Sequence, residues 1–182
     1  MARGRVLLTA ATAGDEADFI AAMRASRTLH RPWIAMPETP AAYASYVERN
    51  ASDRYDRLLL RRRSDGALAG FLHLSEIVRG SFQSAFLGYG GVAALAGQGY
   101  MTEGMQLLLR HAFSTLGLHR VEANIQPGNR SSIALADRSG FELEGYSVRY
   151  LKVGGRWRDH ERWAIRQESW RAAQPARSAV TR

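Results

Sequence analysis

The sequence contains no cysteine. That absence excludes a disulfide scaffold, a thiolate metal site and a cysteine nucleophile. Lysine occurs once, at Lys152, so arginine carries the basic charge. No apolar run approaches the roughly 18 residues of a membrane-spanning helix, and no membrane partner is expected. No repeat or linker interrupts the chain. His73, His111 and His160 lack metal-ligand spacing, and no metal is expected.

What is there fits one domain. The chain has 182 residues, 46% hydrophobic and 23% charged, enough for a sizeable core. The domain is expected over residues 1–167. The polar, basic and alanine-rich stretch 168–182 is expected to fray. Formal net charge is +8, from 25 basic and 17 acidic residues. A nucleic-acid protein can show this balance. The basic residues are spread out, however, and the densest run is Arg61-Arg62-Arg63. That suits a solvated basic surface, with an acidic or RNA-rich partner left open.

The first residues imitate a secretory signal: Arg3 and Arg5, then Val6 to Ala10, then Ala11-Thr12-Ala13. The apolar stretch is short, contains Thr9 and runs straight into Asp15-Glu16. It reads as a first strand. Asp15 to Arg24 reads as a helix with acids in its first turn. Ser26 to Pro37 reads as a loop that places Trp33 and Arg31. Thr39-Pro40 starts a second helix, an N-cap followed by proline at the first helical position. Tyr55–Arg62, Ala67–Val78 and Phe82–Val92 form an antiparallel meander with tight turns. Tyr100 to Leu116 carries a wide apolar stripe, with Gly117 as its stop. His119–Gln126 alternates as a strand, and Arg130–Arg138 is a further helix. Phe141–Lys152 and Arg156–Arg166 are the last strands. Strand, helix, strand, helix implies a parallel crossover between the strands starting at Phe82 and His119.

The stretch Gly97-Gln98-Gly99-Tyr100-Met101-Thr102-Glu103 lies where a strand feeds the apolar helix. The first turn of a helix has N–H groups without intrahelical partners, and the helix dipole adds positive potential there. That combination suits phosphate oxygens. Ordinary turn chemistry would also place glycines here. A Walker loop is excluded, because the turn has no lysine. Gly88-Tyr89-Gly90 sits inside a strand, so a dinucleotide fingerprint fits badly.

Gly-Gln-Gly-Tyr-Met-Thr-Glu, then the apolar helix, Asn129-Arg130-Ser131-Ser132 and Ser139-Gly140-Phe141, form a recognisable order. It resembles the acyl-CoA-binding core of the GCN5-related N-acetyltransferases, and within them the Rim-type ribosomal-protein-alanine branch. The resemblance runs from about Arg5 to about Gln167 and rests on order and spacing.

That resemblance implies a mixed α/β (α+β) fold. Its sheet would be twisted and mostly antiparallel, of about six to seven strands, with a β-α-β crossover and about four helices. It implies acetyl-CoA as acyl donor, with Gly97, Gln98, Gly99, Tyr100, Met101 and Thr102 at the diphosphate. Gly90, Gly91 and Val92 would supply carbonyls for the pantetheine arm and an N–H for the oxyanion. The family pattern opens with Arg or Gln where this chain has Ala96, and Met101 fills a position that is small in the family. Asn129 would touch the pantetheine arm, and Ser132 would lie near the thioester sulfur. Read alone, Asn129 is a helix cap and Ser132 the third helical residue. The tyrosine acid of many members corresponds to Ala136 and is missing.

An N-terminal amine has a pKa of roughly 7.7 to 8, against about 10.4 for lysine, so a carboxylate acting through water suffices as base. Glu76 is the first candidate and Glu103 the second; read alone, Glu76 is a solvated acid at a strand end. Arg31, Trp33 and Tyr146 are candidates for the acceptor site. The expected activity is transfer of acetyl to a primary amine, foremost a protein N-terminus, in the cytoplasm. Rivals are a small-amine acetyltransferase, a non-catalytic acyl-CoA binder and an RNA-surface binder. Nucleic acid is expected only as part of a ribonucleoprotein substrate. The oligomeric state, monomer or homodimer, stays open.

Overall fold

A computed structural model describes residues 4–174. Its backbone follows strand β1 (Val6–Ala10), helices α1 (Glu16–Ala25), α2 (Arg27–His30) and α3 (Pro40–Glu48), and strands β2 (Tyr55–Arg62), β3 (Leu68–Val78) and β4 (Ser84–Gly91). Helix α4 (Tyr100–Arg110), strand β5 (Arg120–Ile125), helix α5 (Arg130–Arg138), strands β6 (Glu142–Val153) and β7 (Arg156–Arg166) and helix α6 (Gln167–Ala172) follow. The strands form one seven-stranded sheet, ordered β1-β2-β3-β4-β5-β7-β6. Every neighbouring pair is antiparallel except β4–β5. The expected crossover therefore holds, with α4 carrying the chain between the two parallel strands.

Period-two alternation decides which side chains meet which layer. On β2 and β3, Leu58, Leu60, Leu72 and Leu74 join Met105, Leu108 and Leu109 of α4 in one core. Leu59 and Phe71 point the other way, onto Phe19 of α1 and Tyr43 and Tyr46 of α3. The Phe19 and Tyr46 rings stack with centroids 5.5 Å apart. The Tyr43 hydroxyl donates to the Thr12 carbonyl at 2.9 Å, so the buried phenol is satisfied.

Three expectations are corrected. The loop from Ser26 contains a helical turn, α2. The apolar stripe predicts a helix to Leu116, but regular α-helix stops at Arg110. A wider turn, His111–Thr115, follows, with Leu116 N–H donating to the His111 carbonyl five residues back. The fraying expected from Glu168 does not hold for its first residues. Gln167–Ala172 are helical, and Trp170 packs on Phe113 with centroids 5.4 Å apart. Residues 175–182 lie outside the described residues.

The parallel pairing that positions the site is short. Ser84, Ala85 and Phe86 pair with Arg120, Val121 and Glu122, and no further. Beyond Phe86, β4 stays with β3 as far as Gly91, and β5 stays with β7 as far as Ile125. The sheet opens into a wedge between them.

Candidate functional site

The end of β4 runs through Val92 and a 3-10 turn, Ala93–Leu95, into the glycine turn. Gly97 and Gly99 have φ of 75° and 82°. Side chains with a Cβ resist that left-handed region. Among the described residues, the N–H groups of Gly97, Gln98, Gly99, Tyr100 and Met101 donate to no protein acceptor. Intrahelical bonding begins with Thr102 and Glu103 N–H, both donating to the Gly99 carbonyl. Bare N–H groups at the positive end of α4 form a seat whose geometry and potential suit an anion.

That seat opens into a groove of about 320 Å³, bounded by Gly90, Gly91, Gly97, Gly99, Tyr100, Met101 and Thr102 on one side. Ser131, Ser132, Leu135 and Arg138 of α5 form the other side. At Tyr89, Gly90, Ser131 and Ser132 the groove meets a second cavity, of about 140 Å³, inside the wedge. Gly88, Asn124, Gln126 and Asn129 line this second cavity, with Trp33 and His30 above and His160 of β7 at its edge. Among the described residues, no Asp, Glu, Lys or Arg lines it. A third, larger hollow of about 520 Å³ shares His30 and Ile34 with the wedge and leads outward past Arg27, Arg31, Glu38 and Arg158.

Local bonds hold the wedge open. The Tyr89 hydroxyl donates to the Ser132 carbonyl at 3.0 Å, joining β4 to α5. Burial pushes this phenol well above its ordinary pKa, so it keeps its proton through neutral pH. His30 Nε2–H donates to the Gly91 carbonyl at 2.9 Å. Gln126 Nε2 donates to the Trp33 carbonyl at 3.1 Å, and the Trp33 ring lies where a Cβ on Gly128 would meet it at 3.0 Å. The Asn129 side chain accepts from Ser132 N–H at 3.3 Å and from Ser131 Oγ at 3.1 Å, capping α5. Asn124 Oδ1 is buried and has no donor among the described residues. A ligand N–H would satisfy it.

The residues singled out from sequence divide. Gly91, Gly97, Gly99, Tyr100, Met101 and Thr102 line the groove, Asn129 and Trp33 the wedge, and Gly90 and Ser132 both. Arg31 lines the outer hollow. Gln98 lines neither cavity with its side chain; its carbonyl accepts from Arg5 Nη2 at 3.1 Å. Val92 turns into the α1–α3 core, and its N–H donates to the Ala69 carbonyl at 2.9 Å. It is therefore unavailable to an oxyanion.

Both carboxylates proposed as base are placed elsewhere. Glu76 lies within a bulge of β3, with φ of 50°, and pairs with Arg54 and the Tyr55 hydroxyl. The Tyr55 hydrogen bond is the largest of the contacts that hold its pKa low. It sits where β3 meets the start of β4, and the wedge lies at the other end of that strand. Glu103 is on the outer side of α4, where it accepts from Arg5 N–H at 2.9 Å and Arg5 Nε at 2.5 Å. Tyr146 is half exposed and donates to Asp159 at 2.7 Å, away from all three hollows. Sequence reasoning missed His30, Tyr89, Asn124, Gln126 and His160. Asn124 and Gln126 carried a signal, as polar residues on the alternating face of β5. Nothing local marks His160, which β7 brings beside β5. Among the described residues, no group of three or more His, Cys, Asp or Glu is arranged to hold a metal, and no helix is long and apolar enough to cross a membrane.

A probable N-acetyltransferase, YjcK of Bacillus subtilis, is 38% identical over 120 residues, 66% of each chain. The [ribosomal protein uS5]-alanine N-acetyltransferase of Escherichia coli is 39% identical over 103 residues, 57% of this chain and 53% of that one. The chain thus spans about half to two thirds of the length of these curated relatives. Mycobacterium smegmatis RimJ, solved with CoA-disulfide, superposes with a TM-score of 0.84 at 28% identity, covering 94% of this chain and 85% of that one. A spermidine N-acetyltransferase from Vibrio cholerae, solved with CoA and spermine, shares the fold with a TM-score of 0.78 at 21% identity, covering 91% and 98%. Residues 5–142 match the family described as the acetyltransferase (GNAT) domain, and the chain belongs to that family.

Proposed function

We propose that this chain transfers the acetyl group of acetyl-CoA to a primary amine, and that its preferred acceptor is the N-terminal α-amine of a protein, as in the ribosomal-protein-alanine branch. One observation carries the reading: a groove headed by bare N–H groups meets, at Ser132, an uncharged wedge of about 140 Å³ between two parted strands. The groove suits a diphosphate at the α4 N-terminus and an extended arm running along Gly90 and Gly91 toward Ser132. The wedge suits an amine with a small side chain. Asn124 Oδ1 offers it an acceptor, and the lack of charged groups favours the neutral amine over ammonium.

In this mechanism both substrates are held together, which replaces a bimolecular encounter by a positioned one. The amine nitrogen attacks the thioester carbonyl carbon. The C–N bond forms, the C–S bond breaks, and the amine loses a proton. Ser132, at the junction of the two cavities, hands a proton toward the departing thiolate and is resupplied by water. The position of the family's tyrosine is here Ala136, a fully buried methyl side chain with no hydroxyl to contribute.

A polyamine fits less well. It carries several positive charges, and the path outward from the wedge passes Arg27, Arg31 and Arg158 against one carboxylate, Glu38, which Arg27 already pairs. A folded protein's N-terminal segment has no such conflict. A cytoplasmic location accompanies this reading. The test is thiol release from acetyl-CoA, screened over peptides beginning with Ala or Ser and over polyamines. Release with the peptides supports the proposal. Release with polyamines alone moves the acceptor to that class. Acetyl-CoA binding without release on any amine identifies a non-catalytic acyl-CoA binder.

A further inference from the structure

Acyl transfer to an amine needs a proton acceptor, and neither Glu76 nor Glu103 reaches the wedge. The titratable side chains lining it are His30, Tyr89 and His160. Tyr89 holds its proton and donates it to the Ser132 carbonyl. His30 ties the end of α2 to Gly91 through Nε2, with its ring edge-on to Phe71 at 5.8 Å. His160 is different. It sits on β7 opposite Ser147 of β6 and is 3% exposed. Its Nδ1 lies 3.0 Å from the Arg158 carbonyl oxygen. A carbonyl only accepts, so Nδ1 carries the hydrogen and Nε2 of the neutral ring keeps a bare lone pair.

The surroundings keep that ring neutral. Burial lowers its pKa below the ordinary 6.5, outweighing the Arg158 carbonyl and the Asp159 charge, which act the other way. Asp159 is itself engaged by the Tyr146 hydroxyl and Arg149 N–H, at 2.7 and 2.8 Å. From β6, the Tyr150 ring stands at 6.3 Å, inclined 61°. Among the described residues, the other titratable groups lining the wedge are His30 and Tyr89.

We propose that Nε2 of His160 takes the proton from the acceptor amine. The amine nitrogen bonds to the thioester carbon and sheds one proton to Nε2. The tetrahedral adduct collapses with loss of thiolate, which is protonated from the Ser132 side. The imidazolium returns its proton to solvent before the next turnover. A general base is expected to contribute about 100-fold or more.

This inference rests on the acyl-transfer reading, so the test uses whichever acceptor the screen selects. The variant is His160→Gln, which keeps a polar amide and cannot titrate. With acetyl-CoA saturating, kcat is followed from about pH 5 to about pH 9. The expected result is a fall of about 100-fold at neutral pH, loss of the acid-side inflection due to imidazole, and unchanged acetyl-CoA affinity. A fall smaller than about threefold, or an unchanged acid inflection, overturns it. Should the variant fail to fold, nitrogen NMR of the wild-type histidines decides. Hydrogen on Nδ1 of His160 supports the proposal, and hydrogen on Nε2 overturns it. A wild type inactive on every amine sinks the acyl-transfer reading, whereas an active wild type matched by an active variant sinks this proposal alone.

Discussion

The Tyr89 hydroxyl donates to the Ser132 carbonyl across 3.0 Å, and this bond alone joins a side chain of β4 to the first turn of α5 among the described residues. It sits where the groove and the wedge meet, because Tyr89 and Ser132 border both cavities. Tyr89→Phe leaves the carbonyl without that donor at a cost of about 1 kcal/mol. Denaturant unfolding should show that loss. Steady-state kinetics should show kcat falling more than acetyl-CoA affinity, because the ring still fills its place while the α5 turn shifts. A variant as stable and as active as wild type would remove Tyr89 from the account.

Gly97 and Gly66 form a matched pair. Both have φ of 75°, and a Cβ on either would meet nothing within 4 Å. Alanine at either position strains the backbone by about 1 kcal/mol. Gly66 turns the β2–β3 hairpin and Gly97 begins the anion seat. Gly97→Ala should therefore weaken acetyl-CoA binding by about tenfold in calorimetry, since that strain displaces the N–H groups. Gly66→Ala should cost similar stability and leave binding unchanged. Equal binding losses would mean that the seat has no special role.

The α5 cap separates structure from chemistry. Asn129→Ala removes the acceptor of Ser132 N–H and should cost about 1 kcal/mol of stability, with weaker acetyl-CoA use. Ser132→Ala should lower turnover with little change in donor affinity. Matching losses that follow stability alone would return both residues to helix capping.

His73 predicts acid sensitivity. It is half-buried beside Arg57 with its Nδ1 shut off from solvent, and desolvation, reinforced by that charge, lowers its pKa to about 3. An unfolded chain protonates this ring below about pH 6.5 while the folded one does not. The unfolded state therefore binds the extra proton, and stability falls as pH drops between those values. The slope is about 1.4 kcal/mol per pH unit from this group. His73→Leu should flatten that dependence in chemical denaturation. A slope identical to wild type would show His73 protonated in the fold.

The fold was legible because its signals are local and repeated: alternation on β2, β3 and β5, the apolar stripe of α4, and the Thr39-Pro40 start of α3. Helices α2 and α6 were not, because elements of four and six residues leave no room for a period. The glycine turn was legible for the same local reason, since Gly97 and Gly99 occupy left-handed backbone next to a helix start. The base was not. Sequence gives no side-chain direction, so a bulge could turn Glu76 toward Arg54 and an N-terminal arginine could take Glu103. His160 became visible only through the strand order β5-β7-β6, which sets it beyond the paired end of β5. Tyr146 looked similar on paper and faces Asp159 instead.

A structure of the chain crystallised with acetyl-CoA tests the central claim most directly. The account predicts diphosphate oxygens within hydrogen-bond reach of N–H groups between Gly97 and Met101, and the thioester beside Ser132 at the mouth of the wedge. A diphosphate bound elsewhere, or a thioester pointing away from the parted strands, would contradict it.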